Sequence, residues 1–335
     1  MCGVNWPGPS STKSSFLLSP SLLHTANNNM PLEILEGEPP EPPAWGTLAL
    51  DIYLLSELDT PHGQDTAESV PDRYRQLVRQ FLALGSMGRL PYNLQTEDPP
   101  TPTDAQITEI LRPVRPEALR PYAEYTGSLD EGLYVRLCYN TETEEAHEAV
   151  WAGNLSSGFV GPDGILFDDE GILQAAGAGM DLDLAGFLEI FPERVTNSAF
   201  VEHVEHRGSV LRDALSERDT DHQGEEGYSK EVKRYLAERR VRDPLLQYWE
   251  YHAACAVTHL FIEDREALDG NGLLHVFLDD TGNVVRQWRS TDNGDDFDFD
   301  GSWKEGVWKG DFENGRGELG ATYQEGGTRG PPYEL

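Results

Sequence analysis

The chain has 335 residues, with 26 lysines and arginines against 59 aspartates and glutamates, so its formal net charge is −33. This length is enough to bury one large core or two modest ones without disulfides. The charge excludes nucleic acid as a partner, because phosphate binding draws on clustered lysine and arginine. It favours solubility and attracts cations or a basic protein partner.

Cysteine content and apolar patterning point to an intracellular chain. Cys2, Cys138 and Cys255 are too few and too far apart for a disulfide framework, which favours a reducing compartment, cytoplasmic or nuclear. The apolar runs are much shorter than the about 20 residues that span a bilayer, so we predict no membrane association. The N-terminus lacks the pattern of a signal peptide, and we expect Met30 to be the real or an alternative start.

Composition predicts an α+β protein with disordered ends. Residues 1–44 end in a linker rich in proline and glutamate, PLEILEGEPPEPP, and residues 325–335 are rich in glycine and proline. Between them we expect a single domain, residues 45–324. Its helix-rich body runs to about residue 268, and a C-terminal β region with hairpins covers 270–324, giving a small, mainly antiparallel sheet.

The first half of the domain has several clear element signals. LALDIYLL, residues 48–55, fits a buried strand or a short helix, and so few residues cannot decide between them. Helical spacing after Pro71 predicts a helix that Gly85 and Gly88 end, and Thr103 is placed to cap another. LYVRLCY, residues 133–139, predicts a strand, and the acidic start of residues 141–153 predicts a helix after it.

The second half is predicted to be helical first and then β. Helices are expected over residues 197–218 and 229–241, and over 243–266 as an apolar core helix. Two β-rich runs flank Asp280 to Asn283, which predicts a hairpin. That turn reading also accounts for Asp280-Thr281-Gly282, which resembles one of the two catalytic triplets that an aspartic protease needs.

Histidines supply one candidate metal site. His252, Cys255 and His259 would share a face of the 243–266 helix, and His203 and His206 form a second pair in EHVEH. Three ligands on successive turns span about 10 Å and cannot all reach one ion, so packed core histidines are the competing interpretation. If the two pairs converge, with a nearby glutamate, they would serve a metal-dependent enzyme.

Aspartates supply a second candidate ion site. DFDFDG places Asp296, Asp298 and Asp300 at the alternate positions of a calcium loop, and Gly301 would permit its sharp turn. Val307 stands where that loop needs a bidentate glutamate. A strand with water-facing aspartates explains the same residues.

No nucleotide-binding or catalytic motif is complete, and no cofactor is predicted beyond a divalent metal at these two sites. Leu84 to Gly88 resembles the nucleophile elbow of α/β-hydrolases, but Leu84 replaces its first glycine and a helix precedes it, so we interpret it as a helix stop. By elimination we expect a non-catalytic, acidic protein-interaction or regulatory protein. The alternatives are the metal-dependent enzyme and a weak calcium-binding module.

Overall fold

A computed structural model describes most of the central part of the chain and part of its C-terminal region. These are residues 42–58, 70–93, 101–120, 123, 133–139, 142–156, 166–167, 184–195, 207–217, 234, 238, 244–290, 309–331 and 333. The predicted calcium site at 296–300, the pair His203 and His206, and the predicted helix over 229–241, apart from residues 234 and 238, lie outside them.

Three helices open the described body. They are α1 (Ala49–Leu58), α2 (Val70–Ala83) and α3 (Gly85–Asn93). The segment that fitted strand or helix is a helix, because Leu50, Tyr53 and Leu54 then share one buried face. The predicted stop after α2 is at Gly85, whose φ of +64° an L side chain rarely adopts. The chain enters helix α3 immediately, so Gly88 lies within a helix and does not end one.

The helix predicted at Thr103 is confirmed with its cap. It consists of α4 (Asp104–Gln106), a π-helical turn (Ile107–Leu111) and α5 (Arg112–Val114) in succession. The Thr103 hydroxyl accepts a hydrogen bond from the Gln106 amide, and the Gln106 side chain accepts one from the Thr103 amide. This reciprocal capping box satisfies two amides that the first turn leaves without helical partners.

The middle of the chain adds strands and helices in alternation. In order they are β1 (Leu133–Arg136), α6 (Glu144–Ser156), β2 (Leu166–Phe167), α7 (Leu184–Ile190) and α8 (Arg207–Glu217). A 3-10 turn, Pro192–Val195, follows α7. The predicted strand and following helix are therefore present as β1 and α6.

The core helix predicted over residues 243–266 is wrong in its second half. After a 3-10 turn (Pro244–Tyr248), helix α9 covers only Trp249–Cys255, and Thr258–Glu263 forms strand β3. Every residue of β3 is buried. A strand covered on both faces lacks a regular alternation of apolar and polar residues, which is why periodicity could not separate it from a buried helix.

The predicted hairpin is confirmed by β4 (Leu274–Leu278) and β5 (Val284–Arg289), which pair antiparallel. Helix α10 (Lys309–Glu313) and strand β6 (Glu318–Leu319) follow. The strands form one sheet in the order β2-β1-β3-β4-β5-β6, in which β1 pairs parallel with β2 and β3 and the other pairs are antiparallel. The fold is thus α+β, as expected, although β1, β2 and β3 precede residue 268.

The hydrophobic core lies between the sheet and the N-terminal helices. It joins side chains of α1, α2 and α7, such as Leu54, Phe81 and Phe187, to Leu260 and Val276 of the central strands. None of the helices in the described ranges is both long and apolar enough to cross a membrane.

The C-terminal segment is packed where the composition predicted disorder. The Arg329 amide donates to the Thr322 carbonyl, and Gly330 is buried. The ring of Tyr333 lies 4.4 Å from that of Tyr251. Local composition could not reveal the contact with Tyr251, because this partner lies far away in sequence.

Candidate functional site

A cleft of about 480 Å³ opens where the α2–α3 junction, the first turns of α8, the end of α9, the β4–β5 turn and the C-terminal segment meet. Its lining includes Leu84, Met87, Arg207, Arg212, Asp280 and Arg329, and we call it the arginine cleft. Its volume is in the range of sites that hold small ligands or a few side chains of a partner.

The floor of the arginine cleft is organised around Asp280. One carboxylate oxygen accepts a hydrogen bond from the Ser86 amide at 2.9 Å and lies 3.4 Å from Arg207 Nε. The other lies 3.6 Å from Arg329 Nη1. Burial opposes ionisation of this carboxyl, but Arg207, the Ser86 amide and Arg329 outweigh it and lower the pKa of Asp280. Asp280 is therefore an anion at neutral pH.

Asp279 fixes the turn from which Asp280 projects. Its buried carboxylate accepts hydrogen bonds from the amides of Thr281 and Asn283, at 2.8 and 2.9 Å. The Tyr323 hydroxyl donates to it at 2.7 Å, and Arg329 Nη1 lies 3.1 Å away. The Asp279 carboxylate thus accepts hydrogen bonds from the turn and also binds Tyr323 and Arg329 of the C-terminal segment. These shared contacts hold the two parts of the cleft wall together.

Positive charge predominates in the cleft lining. Among the described residues of the lining, three arginines, Arg207, Arg212 and Arg329, face one carboxylate, Asp280, which gives this part of the lining a formal excess of two positive charges. Behind the lining, the charges of Arg89 and Asp279 offset each other. The sign is opposite to that of the whole chain, with its net charge of −33.

The three arginines differ in how far other protein groups engage their guanidinium donors. Arg207 is buried, with Nε near Asp280 and Nη2 donating to the Cys255 carbonyl at 3.0 Å. Arg329 is held by Asp279 and Asp280 and keeps 35% of its side chain exposed. Arg212 is exposed and makes no hydrogen bond or ion pair with any described residue. Of the three guanidinium groups, it is the one whose donors are available to a ligand as far as the described ranges show.

The rim of the arginine cleft is apolar. Leu84 and Met87 are the exposed large hydrophobic side chains of the described residues, at 40% and 48% exposure, and both line this cleft. Leu211, one residue before Arg212, is half-buried beside them. Single exposed apolar residues need no explanation, but here they stand together next to an available guanidinium.

The inner wall carries a thiol and a set of aromatic rings. Cys255 is buried, and burial raises the pKa of its thiol to about 11, with Arg207 only partly opposing it. His252 Nε2 lies 2.7 Å from the Tyr333 hydroxyl. Burial, with a smaller contribution from Arg286, lowers the pKa of His252 to about 3. The thiol and the imidazole are both neutral at pH 7.

The structure separates the two described histidines of the predicted metal site. His252 lies on α9 among Tyr251, Tyr323 and Tyr333. His259 lies on β3, where Nε2 is 3.1 Å from Nδ1 of His275. The prediction that His252 and His259 share a helical face was wrong, because the helix ends between them.

No group of three or more histidine, cysteine, aspartate or glutamate side chains suited to a metal ion occurs among the described residues. The metal prediction, in which His203 and His206 meet His252 or His259, and the calcium prediction for Asp296, Asp298 and Asp300 involve residues outside the described ranges and stay predictions.

A second polar cluster lies at the carboxyl ends of the parallel strands. His147 Nδ1 on α6 is 2.7 Å from Glu263 at the end of β3, and Arg136 at the end of β1 is 2.7 Å from Glu144. His147, Glu263 and Arg136 are all buried. The cluster joins α6 to the sheet.

Comparison with known proteins finds no match to this chain, since no family model, no curated protein and no solved structure is similar to it. Any functional inference therefore rests on the geometry of the site. Sequence reasoning recognised the turn at Asp280 and the helix stop at Gly85, but gave no signal for Arg207, Arg212 or Arg329, which are ordinary surface residues by local pattern.

Proposed function

We propose that this protein is a non-catalytic interaction protein that holds a segment of a partner protein in the arginine cleft. The observation that carries the proposal is that the exposed side chains Leu84 and Met87 line the same cleft as Arg212, whose guanidinium has no hydrogen-bond or ion-pair partner among the described residues. Methionine and arginine are enriched at protein interfaces, since methionine adapts its shape and arginine combines charge with a planar apolar face.

The ionisable groups of the cleft support binding rather than proton transfer. A general acid or base works best with a pKa near the working pH. The pKa of Asp280 is lowered and its carboxylate is held by arginines, while the Cys255 thiol has its pKa raised to about 11. Asp280 therefore stays ionised and Cys255 stays protonated through the neutral range.

Selection from a random-peptide phage library on the full chain tests the proposal. The counter-selection target is the double variant Leu84→Glu, Met87→Glu, which changes only exposed rim side chains and is expected to fold. We expect peptides that bind the wild-type chain at least about tenfold better than the variant, because two apolar contacts are lost. A library that yields no peptide with this dependence contradicts the proposed function.

Two controls separate binding from folding. Both chains are compared by thermal melting and by far-ultraviolet circular dichroism before selection, and equal profiles show that the rim variant is folded. The variant Leu245→Glu provides a matched change of a half-buried leucine that does not line the cleft. Peptides that depend on Leu245 but not on the rim would place the interaction elsewhere and contradict the assignment to this cleft.

A further inference from the structure

Building on the proposed function, we infer that the segment held in the arginine cleft is acidic, with an aspartate or glutamate beside an aliphatic side chain. The carboxylate contacts Arg212, and the aliphatic side chain packs on Leu84 and Met87. The partner is thus an acidic, leucine-rich segment of a protein, although the chain itself is strongly acidic.

The charge of the cleft lining indicates the sign of the charge on the ligand. The lining has a formal excess of two positive charges, and Arg212 keeps its guanidinium donors available among the described residues. At physiological ionic strength the Debye length is about 8 Å, so a group inside the cleft is influenced mainly by the charges around it. The distant acidic surface is largely screened, whereas a lysine or arginine in the cleft would be repelled at contact.

Side-chain geometry decides the kind of anion. Arg207 and Arg329 are already engaged with Asp280 and Asp279, so one guanidinium of the described lining, that of Arg212, is left to a ligand. A planar guanidinium binds one carboxylate through two parallel hydrogen bonds. The adjoining apolar rim requires that the group next to that carboxylate be apolar, which a leucine-containing acidic peptide provides and a free small acid does not.

Fluorescence polarisation with three matched short peptides tests the inference on the full chain. Each carries a fluorescein label and a core of two leucines around a central pair, which is Asp-Glu in the first peptide, Asn-Gln in the second and Lys-Arg in the third. We expect the Asp-Glu peptide to bind at least about tenfold more tightly than the Asn-Gln peptide, since a charge-assisted pair is exchanged for a neutral one.

The variant Arg212→Gln is expected to remove this preference without changing the melting temperature, because Arg212 is exposed. Arg265→Gln is the matched control, since Arg265 is also exposed and does not line the cleft. Its guanidinium pairs with Asp269, four residues further along the chain. The control variant is expected to bind all three peptides as the wild-type chain does. If Arg265→Gln weakens the Asp-Glu peptide as much as Arg212→Gln, the assignment to Arg212 is overturned.

The outcomes separate this inference from the proposed function. If the Asn-Gln or Lys-Arg peptide binds as tightly as the Asp-Glu peptide, and binding is lost in the Leu84→Glu, Met87→Glu variant, the acidic preference is overturned and the proposed function stands. If the Asp-Glu peptide does not bind at about 1 mM, the weak limit of specific recognition, the inference is also overturned. If free N-acetylaspartate displaces the Asp-Glu peptide at equal concentration, the cleft is a small-acid site and both proposals fail.

Discussion

The individual residues that shape the arginine cleft are mostly buried charges that local sequence does not reveal. Arg89 is fully buried and donates to the carbonyls of Leu82 and Val195, which lie on separate elements. Asp279 serves the turn and the C-terminal segment with one carboxylate. An arginine or aspartate in the sequence is normally solvated, so only the assembled fold shows which ones are enclosed.

His252 makes the stability of the fold depend on pH in a defined window. Its pKa is about 6.5 in an unfolded chain and about 3 in the folded one, so between these values the unfolded state binds an extra proton. The free energy of unfolding therefore falls as the pH drops from 6.5 toward 3. For one proton the slope is at most about 1.4 kcal/mol per pH unit.

Replacing this histidine isolates its contribution. His252→Gln keeps a polar group for the Tyr333 hydroxyl but cannot take up a proton, so the slope between pH 4 and 6 should decrease by up to about 1.4 kcal/mol per unit. Urea unfolding of both chains at a series of pH values provides the measurement. Equal slopes for the two chains would contradict a neutral, buried His252.

At the scale of elements, capping and turn signals were sufficient to predict the ends of helices and the hairpin where the contacts are local. The Thr103 cap, the Gly85 stop and the β4–β5 hairpin were all predicted. The end of α9 was not, because Val257 to Ile262 is buried throughout and its strand partner β1 is distant in sequence. Tertiary pairing selected a strand where local pattern allowed a helix.

The α2–α3 junction provides a prediction at this scale. A Cβ on Gly85 would lie 3.0 Å from Asp280 Oδ2, and φ there is +64°. Gly85→Ala should therefore destabilise the fold by about 1 to 2 kcal/mol. Gly310→Ala, in α10, adds a Cβ that meets no atom within 4 Å and should stabilise by about 0.5 kcal/mol. Chemical unfolding compares the two variants, and an equal effect would contradict the proposed strain.

The C-terminal segment provides a second prediction at the scale of elements. A chain that ends at Glu325 loses Arg329 and Tyr333, which removes the ion-pair partner of the buried Asp279 carboxylate and uncovers Tyr251 and His252. We expect a loss of roughly 3 kcal/mol in the free energy of unfolding. Thermal and urea unfolding of the shortened chain measure it. A chain as stable as the full-length one would fit a disordered tail and contradict the packing described above.

At the scale of the whole molecule, the cleft exists only because five separate parts of the chain meet. Its lining comes from residues 83–87, 207–212, 251–255, 280–281 and 328–333. The sequence pattern predicted the α+β class. The net charge of −33 led us to expect a basic partner. The fold instead places a local excess of positive charge beside the exposed apolar rim, which is why we propose an acidic segment as the ligand.

Methionine methyl resonances test the central claim most directly. The chain has four methionines, Met1, Met30, Met87 and Met180, and Met87 lines the cleft. With isotope-labelled methionine methyl groups, assigned by single substitution to leucine, titration with the Asp-Glu peptide should shift the Met87 signal saturably. The shift should vanish in Arg212→Gln and persist in Arg265→Gln. A Met87 signal that does not move at saturating peptide would contradict binding in the arginine cleft.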